Sequence, residues 1–134
     1  MNGVILDTDV FSVLTERRPG AEKLAAVIGD AETLLAFASV AELAYGAYLA
    51  SWGAARVRRL EAAVASHGLL LPTNGLLRVW ARLRVKARGV GHPLGHKVNS
   101  NDLWVAACAV HYQVPLLTGN GRHFGGLPGL KVVE

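Results

Sequence analysis

Apolar residues fall into short continuous runs, separated by longer segments in which they recur every three or four positions. The runs are Val4–Leu6, Thr33–Phe37 (TLLAF), Leu69–Leu71, Pro115–Thr118 and Lys131–Val133. Segments this short and this continuously apolar predict strands buried on both faces, as in a parallel sheet. Between them, Leu24, Val27 and Ile28 mark a helix over Ala21–Ile28, ended by Gly29-Asp30. Val40, Leu43, Ala44, Ala47 and Tyr48 mark a helix opened by Ser39, and Val57, Leu60 and Val64 mark another ended by His67-Gly68. Leu76, Trp80, Leu83 and Ala87 define a buried face on a further helix that stops near Gly89. Val10–Thr15 is a short helical segment, Asn99–Tyr112 a longer one, and Gly89–Gly95 a Gly- and Pro-rich loop. Strand and helix alternate from end to end. This predicts an α/β fold in a single domain over 1–134, with helices on both faces of a parallel sheet.

Composition agrees: 134 residues suffice for one sizeable core, 51% are apolar and 18% charged. The net charge of +4 favours an anionic partner only weakly. The single Cys108 cannot form an internal disulfide, which fits a reducing compartment. No basic leader precedes the first apolar run, and the uncharged interval between Asp102 and Arg122 is interrupted by His111-Tyr112-Gln113 and Pro115. The expectation is a cytoplasmic protein without a membrane span.

With acids this scarce, their positions matter. Asp7 closes the first strand, Glu42 lies early in the helix after the second, and Asp102 lies in the first turn of the helix leading into the fourth. Each has an ordinary structural role open to it. Ser39-Val40-Ala41-Glu42 fits a capping box. Asp102, beside Asn99, Ser100 and Asn101, suits a helix N-terminus, and Asp7 or Asp9 could cap the helix that follows them. In a parallel sheet, however, Asp7 and Glu42 share the carboxyl edge, where ligands bind. Asp102 joins them if the connection from Gly89 returns the chain to that edge. Three converging carboxylates call for a cation, and oxygen-only ligands suit Mg²⁺, with Mn²⁺ as a substitute. Such a site activates water and neutralises charge on a phosphate.

LDTDV at the start, AELAYGA around Glu42, NDLWVAACA around Asp102 and LLTGNGRHF near the end occur in an ordered set that resembles the PIN-domain family. More narrowly, the set is similar to VapC-type toxins of toxin–antitoxin pairs. The resemblance covers nearly the whole chain. It implies a three-layer α/β/α sandwich around a parallel sheet of four to five strands, and a Mg²⁺-dependent endoribonuclease with Asp7, Glu42 and Asp102 as metal ligands. It also implies an RNA substrate, a cognate antitoxin and a homodimer. Asn120 stands where the family often has a further acid. It brings no charge, so one well-held ion is expected without RNA. Thr118, Asn120 and Thr8 are expected to position water and the ligand acids.

Other residues admit other readings. LDTDV also matches the opening of haloacid-dehalogenase-type phosphatases, with Asp7 as nucleophile, Asp9 as general acid, TLLAFAS as a strand ending in a hydroxyl and Lys97 as the only placeable lysine. A non-catalytic α/β binding module, whose acids only cap helices, is a further alternative. His92 and His96 are spaced like helical zinc ligands, but Gly91, Pro93 and Gly95 forbid a regular helix there. Arg78, Arg82 and Lys86 recur every four residues, with Arg84 and Arg88 adjoining, and read as a solvated face or a guide for RNA phosphates. Arg56, Arg58 and Arg59 carry the same ambiguity. Arg122 and His123 suit either phosphate contacts or an ordinary surface, and Trp52, Tyr45 and Tyr48 suit either the core or a protein interface.

Overall fold

β1 (Gly3–Leu6) is the middle strand of the computed structural model, which describes Met1–Glu134. Val4, Ile5 and Leu6 are each 0% exposed, the burial expected of a strand covered on both faces. It is flanked by β2 (Glu32–Ala36) and β4 (Leu116–Leu117), with β3 (Gly68–Leu70) and β5 (Val132–Val133) at the edges. All four pairings are parallel, in the order β3-β2-β1-β4-β5. The chain therefore winds outward on one side of β1 and then crosses to the other. Between β1 and β4 the winding reverses, which opens a crevice at the carboxyl ends of these two strands.

Alternation along β1 and β4 separates two apolar cores. Ile5 and Leu116 face the side covered by α5 (Asn74–Gly89) and α6 (Ser100–Tyr112). Val4, Leu6 and Leu117 face the side of α1 (Thr8–Thr15), α2 (Ala21–Ile28) and α4 (Ala54–Ala65). α3 (Phe37–Leu49) borders both, with Phe37 on the first core and Val40 and Leu43 on the second. The result is the expected α/β/α sandwich, with five strands. The first core includes a Trp80–Trp104 stack, centroids 4.8 Å apart, capped edge-on by Phe37. Removing a buried leucine from such a core, for example Leu103, costs about 2–5 kcal/mol.

Two local expectations are corrected, and one element is added to those the sequence predicts. α3 starts directly off β2, at Phe37, with Ala36 as N-cap and no side-chain cap bond. The capping box at Ser39 does not form. Ser39 lies inside the first turn, 0% exposed, and its hydroxyl has no partner. The segment after Gly89 is not featureless either. Pro93–Gly95 and Lys97–Asn99 form 3-10 turns, the first capped by His92. Finally, Gly121–Phe124 is a one-turn helix, α7, too short to leave a periodic signal.

Candidate active site

Asp7 is where β1 ends and α1 begins. Its Oδ1 accepts from the Thr8 amide at 2.9 Å as N-cap of α1, while Oδ2 accepts from Thr118 Oγ1 at 2.8 Å. The hydroxyl of Thr118, fully buried at the end of β4, accepts in turn from the Asn120 amide at 3.0 Å. The first helix cap and the end of the fourth strand are thereby tied together at the crevice. Capping and chemistry are compatible roles for Asp7, since an N-cap carboxylate keeps lone pairs to spare. Burial raises its pKa above the usual aspartate value, against the lowering effect of the Thr118 and Thr8 hydrogen bonds, and the charges of Asp102 and Asp9 raise it further.

Glu42, on α3, is half-buried and its Oε1 has no hydrogen-bond partner. Its pKa is pushed up to about 6, first by burial and then by the charges of Asp102, Asp7 and Asp9. A buried carboxylate oxygen with nothing to bind is costly, and no capping duty explains it. Asp102, in the first turn of α6, is bound by His123 Nε2 at 2.9 Å. His123 belongs to α7, just past β4. The connection from Gly89 therefore does return Asp102 to the carboxyl edge, as Asp7 and Glu42 register through their raised pKa values.

The donor set suits a hard divalent cation: carboxylate oxygens, one of them orphaned, with the charge of Asp102 helping to raise the proton affinity of Asp7 and Glu42. As the side chains stand, no three of the protein's carboxylates, imidazoles and thiol are gathered closely enough to hold a metal ion. Holding one requires an inward turn of side chains such as those of Glu42 and Asp102.

The remaining sequence candidates are spread more widely. Asn120 is exposed, and only its backbone amide joins the Thr118 network. Arg78, Arg82 and Lys86 form an exposed row on α5, and Arg122 is exposed on α7. His92 spends both ring nitrogens on structure, accepting from the Leu94 amide and binding Gly125 O. Cys108 is buried, with burial pushing its thiol up to about 12, so it is a core residue and not a nucleophile. The His123–Asp102 contact was missed in the sequence, where 21 residues separate the pair.

A PIN domain model matches residues 4–128. The chain belongs to the PIN domain family. Among its relatives, the ribonuclease VapC5 of Mycobacterium tuberculosis is 33% identical over 132 residues, covering 97% of this chain and 91% of the relative. VapBC-1 from nontypeable Haemophilus influenzae superimposes with a TM-score of 0.79 at 25% identity, over 98% of this chain and 96% of that one. VapBC2 from Rickettsia felis, solved bound to a DNA fragment from its promoter, gives 0.81 at 17% identity, over 97% and 96%, and supports the fold alone. Membership of the PIN family leaves the dehalogenase-type reading without support. Asp9 is exposed, and Ser39 sits inside α3 instead of ending a strand.

Proposed function

We propose that this PIN domain is an endoribonuclease and the toxin of a toxin–antitoxin pair, cutting RNA at Asp7, Glu42 and Asp102 with Mg²⁺, or Mn²⁺ in its place. The observation that carries the reading is Asp7 held by Thr118 at the reversal between β1 and β4, with Glu42 and Asp102 on helices at the same edge, in a chain that resembles VapC ribonucleases along its length. A divalent cation bound there supplies the positive charge that lets water ionise near neutrality and that offsets charge gained by the phosphate. Thr118 and the Thr8 amide fix the orientation of Asp7. His123 occupies Asp102 Oδ2 until a cation competes for that oxygen. Glu42, with a free buried oxygen, is the group most ready to take up a cation or hold a proton of the attacking water. Asn120, at the lip of the crevice, can hydrogen-bond water without adding charge, so one ion is held firmly without RNA. Arg122 is a basic group available to the RNA backbone, and the exposed Arg78, Arg82 and Lys86 row is read as a solvated face.

Capping explains Asp7 but neither Glu42 nor the raised proton affinity shared between the acids, which disfavours a purely structural module. For the antitoxin we propose the groove lined by Phe11, Leu43, Trp52 and Leu60 with Arg56 and Arg59. The structures it resembles include toxin–antitoxin complexes, and Arg56 lies 3.7 Å over the Trp52 ring, presenting cation and apolar surface together. Exposed Tyr45, Tyr48 and Leu49 on α3 are left for a second copy in a homodimer. No helix is long and apolar enough to cross a membrane, and we place the protein in the cytoplasm.

The test is incubation of total cellular RNA with the protein in Mg²⁺ and in EDTA, beside Asp7→Asn. Cutting only by the wild type with metal supports the reading. Cutting retained in Asp7→Asn, or in EDTA, overturns it.

A further inference from the structure

A cavity of about 450 Å³ opens between the last turns of α5 and the 3-10 turns that follow it. It is lined by Arg84, Arg88, His92, His96 and Lys97 with two glycines, and by no carboxylate and no hydrophobic side chain. Neither arginine has an acidic partner, nor has Lys97, since the protein's two ion pairs are Arg18–Glu16 and His123–Asp102. Gathering like charge without compensation opposes folding and favours an anion.

The local backbone is built to hold the cavity open to such a ligand. Gly95 lets the turn press against α5, because a Cβ there would lie 2.8 Å from the Arg88 backbone nitrogen. The negative end of the α5 dipole is closed off by amides, with His92 N on Ala87 O at 2.8 Å and Gly91 N on Arg88 O at 3.2 Å. Arg84 is steadied over Trp80, its guanidinium carbon 5.5 Å from the ring centroid.

One hydrogen bond links the cavity to the element that holds Asp102. His92 Nε2 donates to Gly125 O at 2.8 Å, since Nδ1 is taken as acceptor by the Leu94 amide. That bond joins the cavity wall to the end of α7, whose His123 binds Asp102. Lys97 precedes Asp102 by five residues, about 8–10 Å of helical rise. We propose that this cavity binds a backbone phosphate of the RNA strand adjacent to the one being cut, with Arg88 and Lys97 as its main contacts. The identity of the anion rests on the ribonuclease reading; the cavity does not. Arg82 and Lys86, on the same helix, lie on its opposite flank, about 160° round from Arg84 and Arg88 at 100° per residue.

The experiment measures binding of a labelled single-stranded oligouridylate to the full-length protein in EDTA, which suppresses cutting, across a salt series. Arg88→Gln/Lys97→Gln keeps a polar side chain of shorter reach at each position and removes two charges; Arg82→Gln/Lys86→Gln removes two from the other flank. The expected result is affinity weakened by about fivefold or more in the first variant, with the log–log salt slope reduced by about 0.7 for the one phosphate lost, and little change in the second. Equal weakening in both variants would mean general charge only and overturns the proposal. So does a cavity that inorganic phosphate saturates, by amide shifts at Gly91 and Gly95, while RNA affinity is unchanged in the first variant. Wild type that cuts RNA while Arg88→Gln/Lys97→Gln binds it normally removes the cavity from the account and leaves the nuclease. Wild type that fails to cut in Mg²⁺, yet binds RNA through Arg88 and Lys97, does the reverse.

Discussion

Thr118 Oγ1 donates to Asp7 Oδ2 at 2.8 Å across 111 residues of chain, joining the ends of β1 and β4 where the sheet changes its direction of winding. The same hydroxyl accepts from the Asn120 amide, so one buried oxygen sets both a proposed ligand and the lip of the crevice. Thr118→Val keeps the shape and removes both bonds. The expected outcome is a loss of about 10–100-fold in RNA cleavage and of about 1–3 kcal/mol in stability. Thr118→Ser should recover most of both, and cleavage kinetics with urea unfolding check it. Unchanged cleavage in Thr118→Val would show that Asp7 needs no such support.

Glu42 trades stability for function. Its pKa of about 6 exceeds its ordinary 4.5, so the folded chain holds a proton that the unfolded chain releases between these values. Stability from this group therefore falls as pH rises from about 4.5 to 6, then stays level. Glu42→Gln removes the effect. Without metal it should melt higher than wild type at pH 7 to 8, with the difference vanishing below about pH 4.5, and it should not cut RNA. Thermal unfolding in EDTA across pH measures this, and a variant less stable than wild type at neutral pH would contradict it.

Cation binding should stabilise the native protein alone. At a Mg²⁺ concentration ten times its dissociation constant the gain is about 1.4 kcal/mol, read as a rise in Tm, and absent in Glu42→Gln. His123 holds Asp102 Oδ2 at 2.9 Å and so occupies an oxygen the cation would use. His123→Ala is expected to bind Mn²⁺ a few-fold more tightly in calorimetric titration. Weaker binding would mean that the imidazole orients Asp102 for the ion.

Gly95 cannot carry a side chain cheaply, because what a Cβ meets is the backbone of α5 at Arg88 and not a movable tip. Gly95→Ala is expected to cost about 1–3 kcal/mol, seen as a Tm lower by several degrees, and to weaken RNA binding along with it. A neutral substitution would show that the turn can move away from the helix.

Most of the fold was legible because the strands are short apolar blocks and the helices carry clear stripes. Asp7 and Glu42 could be placed from the parallel sheet alone, Asp102 only conditionally. The failures have local causes. Ser39 followed by Glu42 spells a capping box, but β2 runs straight into α3 at Phe37 and leaves that serine buried within the helix. α7 is a single turn, below the length at which periodicity speaks. His123 meets Asp102, and Lys97 joins Arg88 at one cavity, through tertiary closure that no spacing along the chain encodes. The row Arg78, Arg82 and Lys86 stood out because it repeats every four residues over three positions; the cavity sits beside the shorter pair, Arg84 and Arg88, with the same spacing.

The most direct test of the central claim is the chemistry of the ends left on cut RNA. With Mg²⁺, attack by water at the Asp7, Glu42 and Asp102 site is predicted to leave 5′-phosphate and 3′-hydroxyl termini, with no cut product in Asp102→Asn or in EDTA. Termini carrying 2′,3′-cyclic phosphate, formed equally well in EDTA, would contradict it, because the RNA's own 2′-hydroxyl would then be the nucleophile and the carboxylates would have no cation to hold.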